Sequence, residues 1–122
     1  MKRDFDLIRK ILLDVEAAQA FTSVSKFEYE GFDQDTVCGH LEILIQAEMI
    51  KGEMIRTRAH VFPNVTGLTW KGHDFLDGMK DDSIWNKAKH SVLKHTGGVA
   101  FEVLSAWLKS EALAKLGLPH GG

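Results

Sequence analysis

Three stretches with apolar residues at helical spacing each begin directly after a residue that can cap a helix, and this arrangement constrains the fold most. The caps are Asp33 or Asp35, then Thr69, then the run Asp81–Ser83. Short polar side chains at these places accept hydrogen bonds from the first free amide groups of a helix. We therefore predict helices over residues 33–47, 70–80 and 81–95.

Two further helices are predicted at the ends of the chain. Phe5, Ile8 and Val15 recur at helical spacing within residues 4–18, and charged residues cover the other side. The last helix runs over residues 99–116, after a break at Gly97-Gly98.

The segments between these helices predict a small sheet. Phe27 and Tyr29 alternate with charged residues, which predicts a short strand closed by Gly31. Residues 53–61 and 65–69 predict a hairpin whose tip lies around residues 59–64, because Pro63-Asn64 is a turn signal.

The order helix, short strand, helix, hairpin, helix predicts a mainly α, winged-helix-like (winged helix-turn-helix) domain with a small antiparallel β-sheet. The second helix takes the place of the recognition helix, and the hairpin is the wing. We predict a winged-helix core over residues 1–80 and a C-terminal helical extension over 81–122, packed on the same domain. Trp70, Phe75 and Leu76 are expected to point inward, and Gly72 lets the third helix approach the sheet closely.

The cysteine content and the distribution of apolar residues exclude several classes of protein. The chain has 122 residues, a net charge of -2 and a single cysteine, Cys38. It therefore has no internal disulfide and no Cys-cluster metal site. The sequence contains no run of about 20 apolar residues and begins with a charged, non-signal segment, so we expect a cytoplasmic protein without a membrane partner.

Several blocks of sequence resemble a bacterial and prophage family of unknown function whose members begin M-K-R-D-x-D-L-I-R-K-I-L. This chain begins MKRDFDLIRKIL and shares further blocks with the family, namely His40-Leu41 with Leu44, LTWKGHDFLD over residues 68–77, and DDSIWNK over residues 81–87. The resemblance covers most of the chain. It implies a winged-helix-like fold that is often encoded in mobile elements, and it implies no activity.

The sequence carries no signal of an enzyme. None of its six histidines stands four residues from another, and no phosphate-binding or nucleophile motif is present. Cys38 and His40 lie on one helix but point in different directions, so a catalytic pair is not expected. We predict no enzymatic activity, no metal site and no cofactor.

The second helix is a poor candidate for reading DNA. Residues 21–50 contain one basic residue, Lys26, against six acidic ones, which gives a net charge of -5. Phosphate repels such a segment. His40 and Gln46 are polar residues that could touch bases, but no neighbouring cation would anchor the backbone.

Two other segments are basic and are the predicted nucleic-acid-binding surfaces. The wing carries Lys51, Arg56, Arg58 and His60, and the fourth helix carries Lys87, His90 and Lys94 along one stripe. A solvated helix surface is the alternative interpretation of the second stripe, since cations late in a helix suit its dipole.

Two segments predict protein contacts instead. The acidic second helix offers Asp33, Asp35 and Glu42, and the last helix offers Phe101, Trp107 and Leu108 within a wide apolar arc. That arc indicates either a homodimer through the C-terminal helix or a helix that closes the back of the domain. The leading hypothesis is a regulator that binds DNA through the wing and the fourth helix. The alternative is an interaction module that engages a host or phage protein through the second helix.

Overall fold

The structure is a computed structural model that describes residues 1–93 and 101–117. It is mainly helical, with a small two-stranded antiparallel sheet. The elements in chain order are α1 (Phe5–Ala17), α2 (Gln34–Gln46), β1 (Ile50–Arg56), β2 (Val61–Leu68), α3 (Trp70–Met79), α4 (Asp82–Ala88), a π-helical turn (Lys89–Leu93) and α5 (Phe101–Lys115). The chain forms two compact units, of which the first spans Met1–Asp74 and the second begins at Phe75.

Aspartate side chains begin three of the helices. Asp4, Asp33 and Asp81 each accept a hydrogen bond from the backbone N–H three residues later, at 3.1, 2.7 and 3.0 Å. These bonds satisfy amide groups that have no partner inside a helix. The predicted starts of the first, second and fourth helices are therefore confirmed.

The apolar core of the first unit is contributed by α1, α2, the hairpin and the loops that follow the two helices. The residues that it buries are Phe5, Leu7, Ile8, Ile11, Leu12, Val15, Phe27, Val37, Leu41, Leu44, Met49, Ile50, Val65 and Leu68. The helical spacing of the α1 residues predicts this burial, because such spacing places them on one side of the helix.

The hairpin is longer than the sequence predicts, and its tip lies elsewhere. β1 and β2 pair from Ile50↔Leu68 to Arg56↔Val61, and a bulge at Lys51/Gly52 leaves Thr66 without an opposite residue in the register. The tip is residues 57–60, closed by a hydrogen bond from the Thr57 N–H to the His60 carbonyl (2.9 Å). The prediction of a turn at Pro63-Asn64 is wrong, since Pro63 lies inside β2 opposite Met54.

The predicted strand around Phe27 and Tyr29 is also wrong. The only pairing that this segment makes in the described residues is a bridge at Val24, which exchanges two hydrogen bonds with Val65 (2.7 and 2.9 Å). In an antiparallel ladder the next hydrogen-bonded pair would be Lys26 with Pro63. Proline has no N–H to donate, so the ladder stops at the bridge.

The start of α3 is fixed by Thr69 and Gly72. The Thr69 hydroxyl accepts from the Gly72 N–H (3.0 Å), and the Thr69 N–H donates to the Met49 carbonyl (3.0 Å). A Cβ on Gly72 would overlap the Met49 carbonyl, which confirms the predicted close approach. Trp70, which we predict to point inward, is 84% exposed because it stands at the first position of α3, outside the buried stripe.

The second unit buries Phe75, Leu76 and Met79 from α3, Ile84, Trp85 and Ala88 from α4, and Leu104 and Leu108 from α5. The Phe75 and Phe101 rings meet edge to face with their centroids 4.6 Å apart. The predicted single helix over residues 81–95 ends as an α-helix at Ala88 and continues as the π-helical turn to Leu93. The rest of that predicted helix, and the predicted start of the last helix at Val99, lie outside the described residues.

Candidate nucleic-acid interface

The tip of the hairpin presents two exposed basic side chains, Arg58 and His60. Thr57 orders this turn, because its hydroxyl donates to the His60 carbonyl (3.1 Å) and accepts from the Ala59 and His60 N–H groups (3.3 and 3.1 Å). The His60 ring packs near Phe62, with centroids 5.3 Å apart. Arg58 forms no ion pair with any residue of 1–93 or 101–117.

Arg56, at the end of β1, is not free in the same way. Its Nη2 donates to the Glu42 Oε1 of α2 at 2.9 Å, and both side chains are about half exposed. The pair joins a residue of the predicted wing surface to a residue of the predicted acidic surface. Each charge is therefore largely compensated before any partner binds.

Lys51 lies at the base of the hairpin rather than at its tip. It is exposed, and its Nζ lies near the backbone of Gly67 on the opposite strand. The four wing residues predicted from the sequence therefore divide into a tip pair, a neutralised Arg56 and a basal Lys51.

The acidic helix α2 uses part of its charge internally. Asp33 caps the helix, and its hydrogen bond from the Thr36 N–H lowers the pKa of the carboxyl group below its ordinary value of 3.8. Glu42 is committed to Arg56. Asp35 remains exposed in the first turn, with no basic partner in the described part of the chain.

His40 is not available to touch bases, because it is fully buried. Its Nε2 accepts a hydrogen bond from the Asp4 N–H (2.9 Å), so its Nδ1 carries the proton that it donates to the Thr36 carbonyl (2.8 Å). The imidazole therefore connects the backbone at the start of α1 to α2 through hydrogen bonds. Gln46 is exposed at the far end of α2.

The basic stripe of the fourth helix is also partly compensated. Lys87 forms an ion pair with Glu111 of α5 at 2.8 Å, and the exposed His90 ring bonds through Nδ1 to the Asn86 carbonyl (2.7 Å). Lys94 lies outside the described residues. These contacts favour a solvated, locally paired helix face over a row of free cations.

The residues predicted for protein contact on the last helix differ in exposure. Phe101 and Trp107 are half-buried, whereas Leu108 is 1% exposed and packs inside the second unit. Leu108 therefore serves the core in this structure. The exposed large apolar residues in the described part of this segment are Val103 and Leu116.

Within the described ranges, no group of three or more His, Cys, Asp or Glu side chains is placed to hold a metal ion. Cys38 is half-buried, and its sulfur lies 3.7 Å from the Gln34 side-chain nitrogen.

Two features of the surface escape the sequence analysis. Thr57 organises the tip, and a threonine that bonds to the backbone two or three residues on is a recognised turn signal that could have located it. Phe21 is fully exposed with a φ of 64°, beside an open groove formed by the end of α1, residues 18–24, the hairpin base and His73. Nothing in the sequence pattern distinguishes Phe21 from a core residue.

Comparison with known proteins places the chain in a family. Residues 2–99 match the family described as "Hypothetical protein (DUF2513)". The chain belongs to the DUF2513 family. A relative from Haemophilus influenzae, called "Uncharacterized protein", is 36% identical over 93 residues, which cover 75% of this chain and 79% of the relative. No solved structure matches this DUF2513 chain.

None of the helices in the described part of the chain combines the length and the apolar character that crossing a bilayer requires.

Proposed function

We propose that this protein is a non-enzymatic, winged-helix-like regulator that binds nucleic acid through the tip of its β-hairpin. The element order supports the winged-helix interpretation, since α1, the Val24 bridge, α2, the hairpin and α3 follow one another as in that fold. The segment between the bridge and α2 forms a turn, with the Phe32 N–H donating to the Tyr29 carbonyl (3.2 Å).

The observation that carries this proposal is the environment of Arg58. It stands at the tip of a hairpin, exposed, beside His60 and without an acidic partner among the described residues. A guanidinium group offers several fixed donors for the oxygens of a phosphate. These donors would meet the phosphate at residues 57–60 of the hairpin, two residues from the pair that Arg56 forms with Glu42.

The same argument defines the mode of binding. Because α2 carries no lysine or arginine, it does not anchor itself in a groove. We expect contacts to phosphates, with little dependence on base sequence and a strong dependence on salt. Lys87, His90 and Lys94 make a smaller contribution, since Lys87 is already paired with Glu111.

Fluorescence anisotropy with a mixed-sequence DNA duplex, titrated at several salt concentrations, tests the proposal. We expect wild-type protein to bind at low salt and to weaken as salt rises. Arg58→Glu should weaken binding roughly tenfold and reduce the slope of log K against log salt by about 1, as for one lost phosphate contact.

Lys26→Glu is the control for overall charge, because it changes the net charge by the same amount at an exposed site outside the hairpin, where Lys26 lies 3.9 Å from Glu28. Equal losses from the two variants would show that only overall charge matters and would contradict a binding site at the tip. Absence of binding by the wild-type protein at low salt would overturn the proposal as a whole.

A second candidate function is recognition of a basic protein partner by α2. It is favoured by Asp35 of α2 and by Glu48, which directly follows the C-cap of the helix. Both are exposed and have no basic partner in the part of the chain that the structure describes. A stoichiometric partner captured from bacterial lysate by the wild-type protein, but not by an Asp35→Lys, Glu48→Lys variant, would support this function. Equal capture by both would contradict it.

A further inference from the structure

The outer edges of β1 and β2 differ in whether another segment of the chain forms backbone hydrogen bonds with them. The outer edge of β2 is partly covered, because Val24 takes both backbone hydrogen bonds of Val65. The outer edge of β1 pairs with no other strand in residues 1–93 or 101–117. Lys51, Gly52 and Glu53 on this edge are all exposed.

The register shows which backbone groups of β1 point away from β2. The Thr57–His60 hydrogen bond closes the hairpin, and hydrogen-bonded pairs alternate with non-hydrogen-bonded pairs from there. Met54↔Pro63 and Gly52↔Val65 are therefore non-hydrogen-bonded pairs. The N–H and C=O groups of Gly52 and Met54 face outward, where a further strand would find them.

The side chains along this edge are self-complementary. Lys51 and Glu53 flank Gly52 on one face of β1, because successive side chains alternate between faces. If two copies pair antiparallel about Gly52, Lys51 lies opposite the partner's Glu53, and Glu53 lies opposite the partner's Lys51. Pairing about Glu53 would instead place two glutamates face to face, which is unfavourable.

We propose that β1 is a dimerisation edge, and that it pairs antiparallel with β1 of a second copy of this chain. Gly52 lies on the two-fold axis, and the two hairpins join into one four-stranded sheet. A second copy fits better than an unrelated strand, because the charge pattern Lys51-Gly52-Glu53 complements itself under two-fold symmetry. Since backbone hydrogen bonds and two exposed ion pairs carry the contact, we expect a weak and reversible dimer.

Sedimentation velocity of the full chain over a range of concentrations, without nucleic acid, tests this proposal. The wild-type protein should show a concentration-dependent monomer–dimer equilibrium. Lys51→Glu should raise the dimer dissociation constant about tenfold, because it replaces two attractive cross-strand pairs with two repulsive ones. The charge swap Lys51→Glu with Glu53→Lys should restore dimerisation, since the complementary pairs are rebuilt in reverse.

A second variant tests the backbone pairing without changing charge. Met54→Pro removes an N–H that points away from β2, so the ladder within the hairpin loses no hydrogen bond. We expect this variant to be monomeric and to keep the circular-dichroism spectrum of the wild type, with a melting temperature lowered only by the lost packing of the half-buried Met54 side chain. Lys26→Glu, which changes a charge beyond the far edge of β2, should leave the dimer unchanged.

Two results would overturn the proposal. One is a wild-type protein that stays monomeric at its highest soluble concentration. The other is a dimer that persists with unchanged affinity in Lys51→Glu, which would place the contact on another surface such as α5. Because no nucleic acid is present, either result leaves the proposed function of the hairpin tip to its own test.

Discussion

The hairpin tip and α4 are both basic in sequence, but in the structure they differ in whether their cations form ion pairs. Arg58 at the tip has no ion-pair partner among the described residues, whereas Lys87 on α4 is paired with Glu111, 24 residues further along the chain. Arg56, two residues from Arg58, is likewise paired with Glu42. The available charge of a segment therefore depends on distant residues that its own sequence does not reveal.

These ion pairs act on the surface potential rather than on the fold. Exposed pairs contribute about 0–1 kcal/mol to stability, because water and salt screen them. The potential that a phosphate meets at the surface nevertheless changes sharply when a cation is compensated. The difference between the tip and α4 is therefore best tested by measuring nucleic-acid binding. The contact that positions the hairpin is tested first, by measuring stability.

The largest expected effect is on stability, from disrupting the close packing of α3 against the base of β1. In Gly72→Ala the added methyl group overlaps the Met49 carbonyl, so the start of α3 must move away from the base of β1. We expect a loss of about 3 kcal/mol or more in the free energy of unfolding, measured by urea denaturation.

Gly67→Ala is the matched control within the same unit. Its added methyl would lie 3.6 Å from the Lys51 Cε, an ordinary contact with a flexible side chain. We expect a change below about 1 kcal/mol. If Gly72→Ala were equally mild, the close packing of α3 on residue 49 would not fix the hairpin base.

An intermediate effect, on nucleic-acid binding, is expected from removing the acidic partners of Arg56 and Lys87. Glu42→Gln leaves Arg56 uncompensated beside the tip, and Glu111→Gln does the same for Lys87. If the tip is the binding site, Glu42→Gln should tighten duplex binding by roughly threefold in the anisotropy assay, since it adds a free cation near the phosphates. Glu111→Gln should have a smaller effect, and the reverse order would assign the interface to α4.

The smallest effect is a pH dependence of the second unit. Lys115, Ser83 and the Ile84 N–H all donate to Asp81, and these bonds lower the pKa of its carboxyl group. A group whose pKa is lowered by folding stabilises the fold above its unfolded pKa of about 3.9, and this contribution fades as the pH falls further. The melting temperature should therefore drop on acidification below about pH 4.

Asp81→Asn should reduce this acid-induced drop in melting temperature, because the substituted side chain does not titrate, while the contribution of Asp33 remains. Asp74→Asn, an exposed aspartate on α3, serves as the control and should melt with the same pH profile as the wild type. An Asp81→Asn profile as steep as that of the wild type would show that the capping carboxylate is not the source.

Local sequence signals locate most of the helices. Asp33 and Asp81 cap helices where the pattern predicts them, because a side chain and an amide group three residues later interact without any help from the rest of the fold. The sequence likewise predicts the close approach of α3 to the base of the hairpin at Gly72.

The failures in the hairpin and at the candidate site depend on contacts between distant residues. Pro63 resembles a turn residue, but its missing N–H is tolerated in β2 because it lies in a non-hydrogen-bonded pair with Met54. Because Pro63 has no N–H to donate, pairing along this edge of β2 stops after the bridge at Val24. The strand predicted around Phe27 therefore does not form. At the candidate site, the partners of Arg56 and Lys87 lie 14 and 24 residues away, beyond any spacing rule.

The central claim, that the hairpin tip is the nucleic-acid contact, is tested most directly by NMR. Amide resonances of 15N-labelled protein would be followed while a mixed-sequence duplex is added at low salt. We predict that the amides of residues 57–60 shift most, while those of α2 and α4 shift little. Larger shifts along α2 or α4 than at the tip would contradict the claim.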